Sequence, residues 1–153
     1  MAQEGRKSVT ANRKARHEYF IEETFDAGIV LAGTEVKSIR AGKASLQDSF
    51  ARVEGGEVWI YNMYIAPYEF GNRFNLDPRR KRKLLLHAYE IHKLAQESQQ
   101  KGLTIVPLQI YFERGFAKVE VGIGRGKKLY DKRDTIAAHD AEREARRELS
   151  SRE

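Results

Sequence analysis

The stretch Leu108-Gln-Ile-Tyr-Phe-Glu-Arg-Gly-Phe-Ala-Lys-Val-Glu-Val-Gly-Ile123 decides the fold class of this chain. Apolar residues alternate with other residues on both sides of Arg114-Gly115, and a period of two is typical of half-buried β-strands. The Arg-Gly pair predicts a turn between two antiparallel strands. Pro107 precedes the first of them and predicts a bulge or an edge position, because proline has no N–H to donate to a ladder.

Three further strand candidates lie earlier in the chain, at Tyr19–Leu31, Phe50–Val53 and Val58–Tyr64. The first alternates over a long run, with Gly28 as a bend. The other two flank Gly55-Gly56, and a Gly-Gly pair between strand-forming residues predicts a tight hairpin. The sequence therefore predicts five strands.

Two helices are predicted between these strands. The first covers Thr34 to Ala41 and ends at Gly42, which suits a left-handed C-cap. The second begins near Ala88 and ends before Gly102. Five strands with the main helix between the third and fourth predict a mainly β fold with flanking α-helices, a small closed barrel of the oligonucleotide-binding (OB) type. A β-sandwich and an open α+β sheet remain the alternatives.

Composition restricts the partners. The chain has 153 residues, a net charge of +6 and no cysteine, so one domain with a polyanionic partner is expected, without disulfides or thiolate metal sites. The N-terminus lacks the apolar run of a signal peptide, and no stretch is long enough to span a membrane. We expect a cytoplasmic protein with no membrane partner.

Basic residues form three clusters, at residues 12–17, 79–83 and 125–133. Three clusters on one small domain indicate a broad RNA-binding surface. Residues 1–17 have no apolar periodicity and predict a flexible arm, so the folded body is expected to span residues 18–125. Glycines at its end, in Gly122-Ile-Gly-Arg-Gly126, predict positive φ and close approach to a partner.

Residues 126–153 predict a basic tail that is disordered when free. Its apolar residues are mostly alanines, so a helix there has little to bury and is expected to form only on a partner.

No catalytic signature is found. The glycine run fails the phosphate-loop pattern because Val121 and Lys128 occupy its first and last positions. His87 and His92 are five residues apart and lack a cysteine or carboxylate cluster that would complete a metal site. We therefore expect no enzyme activity and no cofactor, and an enzyme acting on RNA is the most remote hypothesis.

Four segments resemble the bacterial SsrA-binding protein (small protein B) family, in the same order. They are residues 12–23 (NRKARHEYFIEE), 33–43 (GTEVKSIRAGK), 82–87 (RKLLLH) and 126–133 (GKKLYDKR). The resemblance implies an OB-like barrel that binds the tRNA-like domain of transfer-messenger RNA. It also implies delivery of alanyl-transfer-messenger RNA to stalled ribosomes, with the elongation factor that carries aminoacyl-tRNA and GTP. The tail would become helical in the decoding centre and the empty messenger channel, and the protein is expected to be a monomer.

The resemblance also implies two sets of site residues. The RNA-binding set is Asn12, Arg13, Arg16, His17, Asp26, Lys83, Leu85 and His87. The decoding-centre set is Gly126, Lys127, Lys128, Tyr130, Asp131, Lys132 and Arg133. Asp26 stands where many relatives have the longer Glu, His87 where some have Asn, and Tyr130 where others have His. The alternative function is a generic barrel that binds single-stranded RNA or DNA.

Overall fold

A computed structural model describes residues 6–68 and 76–127, which contain nine strands and three helices. The strands are β1 (Arg6–Ala11), β2 (Tyr19–Ile29), β3 (Ala44–Ser45), β4 (Phe50–Glu54), β5 (Glu57–Tyr61), β6 (Tyr64–Ile65), β7 (Arg82–Leu85), β8 (Thr104–Glu113) and β9 (Phe116–Gly126). The helices are α1 (Ala15–Glu18), α2 (Gly33–Arg40) and α3 (Ala88–Gln100). The fold is mainly β, as the alternating pattern predicts.

The large sheet returns on itself. Its strand order is β1-β8-β4-β5-β7-β2-β9, and β9 also pairs with β8, which is the connectivity of a closed, OB-like barrel. All of these pairings are antiparallel. The short strands β3 and β6 form a separate pair. Alternate residues of the barrel strands face inward and form the core with one side of α2 and α3, among them Phe25, Ala27, Ile39, Val58, Ile60, Leu84, Leu94, Ile110, Val119, Val121 and Ile123.

The predicted turns are confirmed. Gly55 and Gly56 have φ of 58° and 76° between β4 and β5, as a two-residue hairpin requires. Gly42 has φ of 74° after α2. The register between β8 and β9 shifts between Pro107 and Gln109, so Pro107 lies at a bulge.

The glycines at the end of the body have a different role from the one predicted. Gly122 and Gly124 are not among the glycines with positive φ. Both are buried in β9 against β2. A Cβ on Gly124 would lie 2.3 Å from the carbonyl oxygen of Phe20, so the close approach is to the chain's own backbone rather than to a partner.

The N-terminal region also differs from the expectation. Residues 6–17, predicted as part of a flexible arm, contain β1 and the first three residues of α1, and β1 pairs with β8 from Arg6↔Glu113 to Ala11↔Gln109. The strand predicted to reach Tyr64 ends at Tyr61, because Asn62 has a left-handed φ of 64°. Strand β7 begins at Arg82, inside the basic 79–83 cluster. This strand was not predicted, because the cluster was interpreted from its charge alone.

Candidate nucleic-acid interface

The outer face of β2 and β7 carries three of the predicted RNA-binding residues. Asp26 and Gly28 project outward from β2, and Gly28 lies directly opposite Leu85 of β7. Lys83 is two residues before Leu85 and therefore shares its face. His87 follows the end of β7 and is exposed. The fold thus brings Asp26, Lys83, Leu85 and His87 to one side of the barrel.

Asp26 is held by two groups that sequence reasoning missed. The Tyr111 hydroxyl donates to its Oδ1 at 2.8 Å, and the Arg6 guanidinium donates to both oxygens at 2.9 and 3.2 Å. Arg6 also lies 4.7 Å from the centre of the Tyr111 ring. Burial, and then the hydrogen bond to Asp26, raises the pKa of Tyr111. The Asp26 side chain remains 44 % exposed, so the carboxylate is oriented and still open to a partner.

The segment around α1 extends this face. Two hydrogen bonds fix Asn12. Its side-chain amide donates to the Pro107 carbonyl at 3.0 Å, and its backbone N–H donates to the Leu108 carbonyl at 2.7 Å. These bonds connect the start of α1 to the proline bulge, a relation that the sequence does not signal. Arg13, Arg16 and His17 follow with exposed side chains.

A shallow cleft joins α1 to the β2 face. Arg13 and Arg16 line it together with Gln109 and Glu120, and Glu120 of β9 is directly opposite Asp26 of β2. A continuous surface therefore runs from α1 across Glu120 and Asp26 to Leu85. We call it the α1–β7 face.

An aromatic pair lies at the far end of this face. The rings of His87 and Tyr89 are nearly parallel, with centroids 5.6 Å apart and an interplanar angle of 9°. Tyr89 is 73 % exposed and Leu85 is 50 % exposed. The backbone N–H of His87 donates to the Glu90 carboxylate at 3.0 Å at the start of α3, and this bond fixes the backbone there. Tyr89 was not predicted, although an aromatic residue two positions after a predicted site residue is a signal that could have found it.

The 79–83 cluster is mostly occupied by local contacts, which the prediction of a broad basic surface did not anticipate. Arg82 is 1 % exposed and donates to Glu35 and to the Met63 carbonyl, both at 2.7 Å. Arg80 also donates to Glu35. This group of three residues, the Glu35 cluster, fastens α2 to β7.

The remaining cations of this cluster also have neighbours. Arg79 lies 5.2 Å from the centre of the Tyr64 ring, and Lys81 lies 4.8 Å from that of Trp59. Lys83 pairs with Glu57 at 3.4 Å. Lys83 is the cation of this set that shares the outward direction of Leu85 on β7, so it adds charge to the α1–β7 face.

The predicted tail begins on the body. Gly126 is the last residue of β9 and pairs with Tyr19. Lys127 donates to the Arg16 carbonyl at 2.8 Å and lies 4.8 Å from the centre of the Phe20 ring. The other residues of the decoding-centre set, Lys128, Tyr130, Asp131, Lys132 and Arg133, lie outside the described residues. Lys127, the last described residue, therefore lies beside α1.

The chain is similar to known proteins along most of its length. Residues 9–151 match the family model described as SmpB protein. The chain belongs to the SmpB protein family. The resemblance predicted from the four sequence segments is confirmed.

The SmpB assignment agrees with individual relatives. The SsrA-binding protein of Acetivibrio thermocellus is 64 % identical over 97 % of this chain and 97 % of its own length. That of Desulforudis audaxviator is 60 % identical over 96 % of each chain. A solved structure described as "tmRNA-SmpB: a journey to the center of the bacterial ribosome" is 61 % identical, with a TM-score of 0.65 over 77 % of this chain and 83 % of that one.

Within residues 6–68 and 76–127, no group of three or more His, Asp or Glu side chains is arranged to hold a metal ion. No helix in the described part of the chain is long and apolar enough to cross a membrane.

Proposed function

We propose that this protein is the RNA-binding adaptor of trans-translation. It binds the tRNA-like domain of transfer-messenger RNA and delivers that RNA to stalled ribosomes. The observation that carries the proposal is the continuous α1–β7 face in a chain that is 64 % identical to an SsrA-binding protein. That face combines exposed cations, an oriented carboxylate and an exposed aromatic pair, which are the groups that contact phosphates, base edges and base faces.

Each part of the face has a distinct role in the proposal. Arg13 and Arg16 are exposed beside α1 and contact phosphates. The Asp26 carboxylate accepts hydrogen bonds from base or ribose donors, and Tyr111 and Arg6 hold it in place. Leu85 and the His87–Tyr89 pair cover the face of an unstacked base.

The neighbouring residues complete the surface. Asn12 fixes the turn that presents Arg13. His17 contacts RNA from the exposed side of α1, and Lys83 adds a cation at the β7 end.

The tail has the second role in the proposal. Lys127 fixes the start of the tail to α1, and Gly126 joins it to β9. Residues Lys128, Tyr130, Asp131, Lys132 and Arg133 then enter the small-subunit decoding centre and the empty messenger channel of the ribosome. The elongation factor and GTP bring alanyl-transfer-messenger RNA together with the protein, which acts as a monomer in the cytoplasm and catalyses no reaction itself.

The test compares two RNAs and three variants. The tRNA-like domain should bind more tightly than an unstructured oligonucleotide of equal length. Arg13→Ala should weaken binding and lower the salt slope by about 0.7 to 0.9, the contribution of one phosphate contact. Lys101→Ala, an exposed cation at the end of α3, is the matched control and should leave both unchanged. Asp26→Ala should lower affinity with little change in slope.

The same titration tests the alternative. Equal affinity for the two RNAs would favour a generic single-strand-binding barrel and contradict the adaptor proposal. Magnesium-dependent RNA cleavage that is abolished by a point substitution would also contradict it.

A further inference from the structure

A cavity of about 510 Å³ opens between the turn before α1 and the segment that leads into β4. Its volume falls within the range of small-ligand sites. Ala15, Leu46 and Val106 are buried and form an apolar floor. The rings of Tyr19 and Phe50 also line it, and Phe50 is 36 % exposed. The cavity therefore offers an apolar bed beside a partly exposed aromatic ring, on which Tyr61 stacks and which the Arg52 guanidinium approaches to 5.1 Å.

The lining of this cavity also contains three charged side chains and one amide that have no side-chain partner among the described residues. Arg13 and Lys14 come from the turn before α1, and Gln47 and Asp48 come from the opposite segment. All four are exposed. Their side chains make no hydrogen bond or ion pair with any residue in the described ranges, whereas Lys81, Arg82 and Lys83 are all paired. The cavity is thus equipped for a ligand with an anionic part and with hydrogen-bond donors.

The segment opposite α1 is preformed. Asp48 has a left-handed φ of 62°, a conformation that few residues other than glycine, asparagine and aspartate adopt readily. The Asn62 side chain donates to its carbonyl at 3.1 Å, and the Ser49 hydroxyl donates to the Leu46 carbonyl at 2.6 Å. The Gln47 N–H donates to the Ser45 hydroxyl at 3.1 Å. A fixed segment reduces the ordering cost of binding.

We propose that this cavity holds one unpaired nucleotide of an RNA. The base lies against Phe50, and its phosphate binds Arg13 and Lys14. The Asp48 carboxylate can only accept hydrogen bonds, so it selects a base edge with adjacent N–H donors, and guanine presents two. The inference rests on the proposed function in taking RNA as the partner. The cavity adjoins the Gln109–Glu120 cleft and shares Asn12 and Arg13 with it, but residues 46–50 line the cavity alone.

The first test uses free nucleotides and the full chain. Amide NMR spectra are recorded during titration with GMP, UMP or inorganic phosphate. GMP should give saturable shifts at Arg13 and at residues 47–50, with at least fivefold weaker binding of UMP. Inorganic phosphate should shift Arg13 and Lys14 alone. Shifts at residues 47–50 that are absent with GMP, or equally large with phosphate, would overturn the proposal.

The second test uses the tRNA-like RNA. Loss of a stacked base weakens nucleic-acid binding by about 5-fold to 150-fold, so Phe50→Leu should weaken binding at least fivefold without changing the salt slope. Phe116→Leu removes a ring that is 71 % exposed at the start of β9, and it is the matched control that should bind normally. Asp48→Asn should retain binding but reduce the preference for GMP over UMP.

The outcomes separate the two proposals. Normal RNA binding by Phe50→Leu, together with weak binding by Arg13→Ala, would overturn the nucleotide cavity and leave the adaptor function standing. Failure of the unmodified chain to bind the tRNA-like RNA would overturn the adaptor function. Because Phe50 stacks on Tyr61 at 5.2 Å, the folding of Phe50→Leu is checked by circular dichroism. If that variant does not fold, an unchanged preference for GMP over UMP in Asp48→Asn decides against the cavity.

Discussion

Replacing Arg82 with Met should destabilise the fold rather than affect only RNA binding. Arg82 is 1 % exposed and donates to Glu35 as well as to the carbonyls of Met63, Arg80 and Pro78. Methionine has an unbranched side chain of roughly similar length, so it fills much of the same space. It has no hydrogen-bond donor, so all of the bonds made by the guanidinium are lost. Glu35 retains Arg80 and the Ala32 N–H, whereas the Met63 carbonyl loses a bond of 2.7 Å.

The expected loss is about 3 to 5 kcal/mol in the free energy of unfolding, the range for breaking a buried ion pair by removing one partner. Domains of this kind have a total of about 5 to 15 kcal/mol, so the loss is a large share. Lys81→Met is the matched control. Lys81 neighbours Arg82 and pairs with Glu54 at 4.0 Å with half of its side chain exposed, so its loss should cost about 0 to 1 kcal/mol.

The measurement is urea unfolding followed by circular dichroism. Equal m-values for the variants and the unmodified chain show that the same unfolding transition is being compared. A loss for Arg82→Met within 1 kcal/mol of the Lys81→Met value would refute the reasoning about burial and pairing. Glu35→Gln together with Arg82→Met should cost less than the sum of the two single substitutions, because each partner's removal already includes the loss of their mutual bond.

Three further predictions concern other parts of the chain. Gly124→Ala places a Cβ 2.3 Å from the Phe20 carbonyl oxygen and should lower the melting temperature by more than 10 °C or prevent folding, whereas Gly33→Ala, with open space around it, should shift it by only a few degrees. Truncation after Lys127 should leave the melting temperature and RNA binding nearly unchanged while tagging of stalled nascent chains fails in a reconstituted assay; parallel loss of binding and tagging would contradict the two-part proposal. Acid should weaken the fold through Glu35: burial raises the pKa of its carboxyl, but hydrogen bonds from Arg80, the Ala32 N–H and Arg82 leave that pKa below its ordinary value of 4.5. The stabilisation is then present above pH 4.5 and lost as pH falls through the folded pKa, so Glu35→Gln should show a shallower loss of stability than the unmodified chain in acid unfolding curves.

Local sequence signals were sufficient for most of the barrel. The alternation in residues 108–123 and the Gly55-Gly56 pair predicted both long hairpins, because strand period and turn conformation are properties of neighbouring residues. Two strands, β1 and β7, were not predicted because their sequences are highly charged. β1 and β7 are rich in cations, and what makes them strands is pairing with β8, β2 and β5, which no local pattern records.

The candidate site likewise contains residues that were predicted from the sequence and residues that were not. Asn12, Arg13, Arg16, Asp26 and Leu85 were predicted from the family resemblance, and the structure places them on one face. The supporting residues Arg6 and Tyr111 were not predicted, since they lie 20 and 85 positions from Asp26 in the chain. The glycines of β9 were noticed but misinterpreted, because only the register with β2 reveals what their missing side chains leave room for.

Two of the ladders that close the barrel are short, and we call them its seams. Long ladders join β1, β8, β9 and β2, and another set joins β4, β5 and β7. Between the two sets, β4 meets β8 at Ala51↔Ile105, and β2 meets β7 at Gly28↔Leu85 and Ile29↔Leu84. One apolar core lies beneath both sets, so the seams are the places where few backbone hydrogen bonds oppose local opening.

The two proposed RNA contacts cross these two seams. The α1–β7 face bridges β2 and β7, and the nucleotide cavity bridges α1 and the segment before β4. An RNA that binds both the α1–β7 face and the cavity would hold the two sets of strands together. Its binding would raise the free-energy cost of opening either seam. Slowed amide hydrogen exchange along β4 and β7 would then report that RNA is bound across both seams.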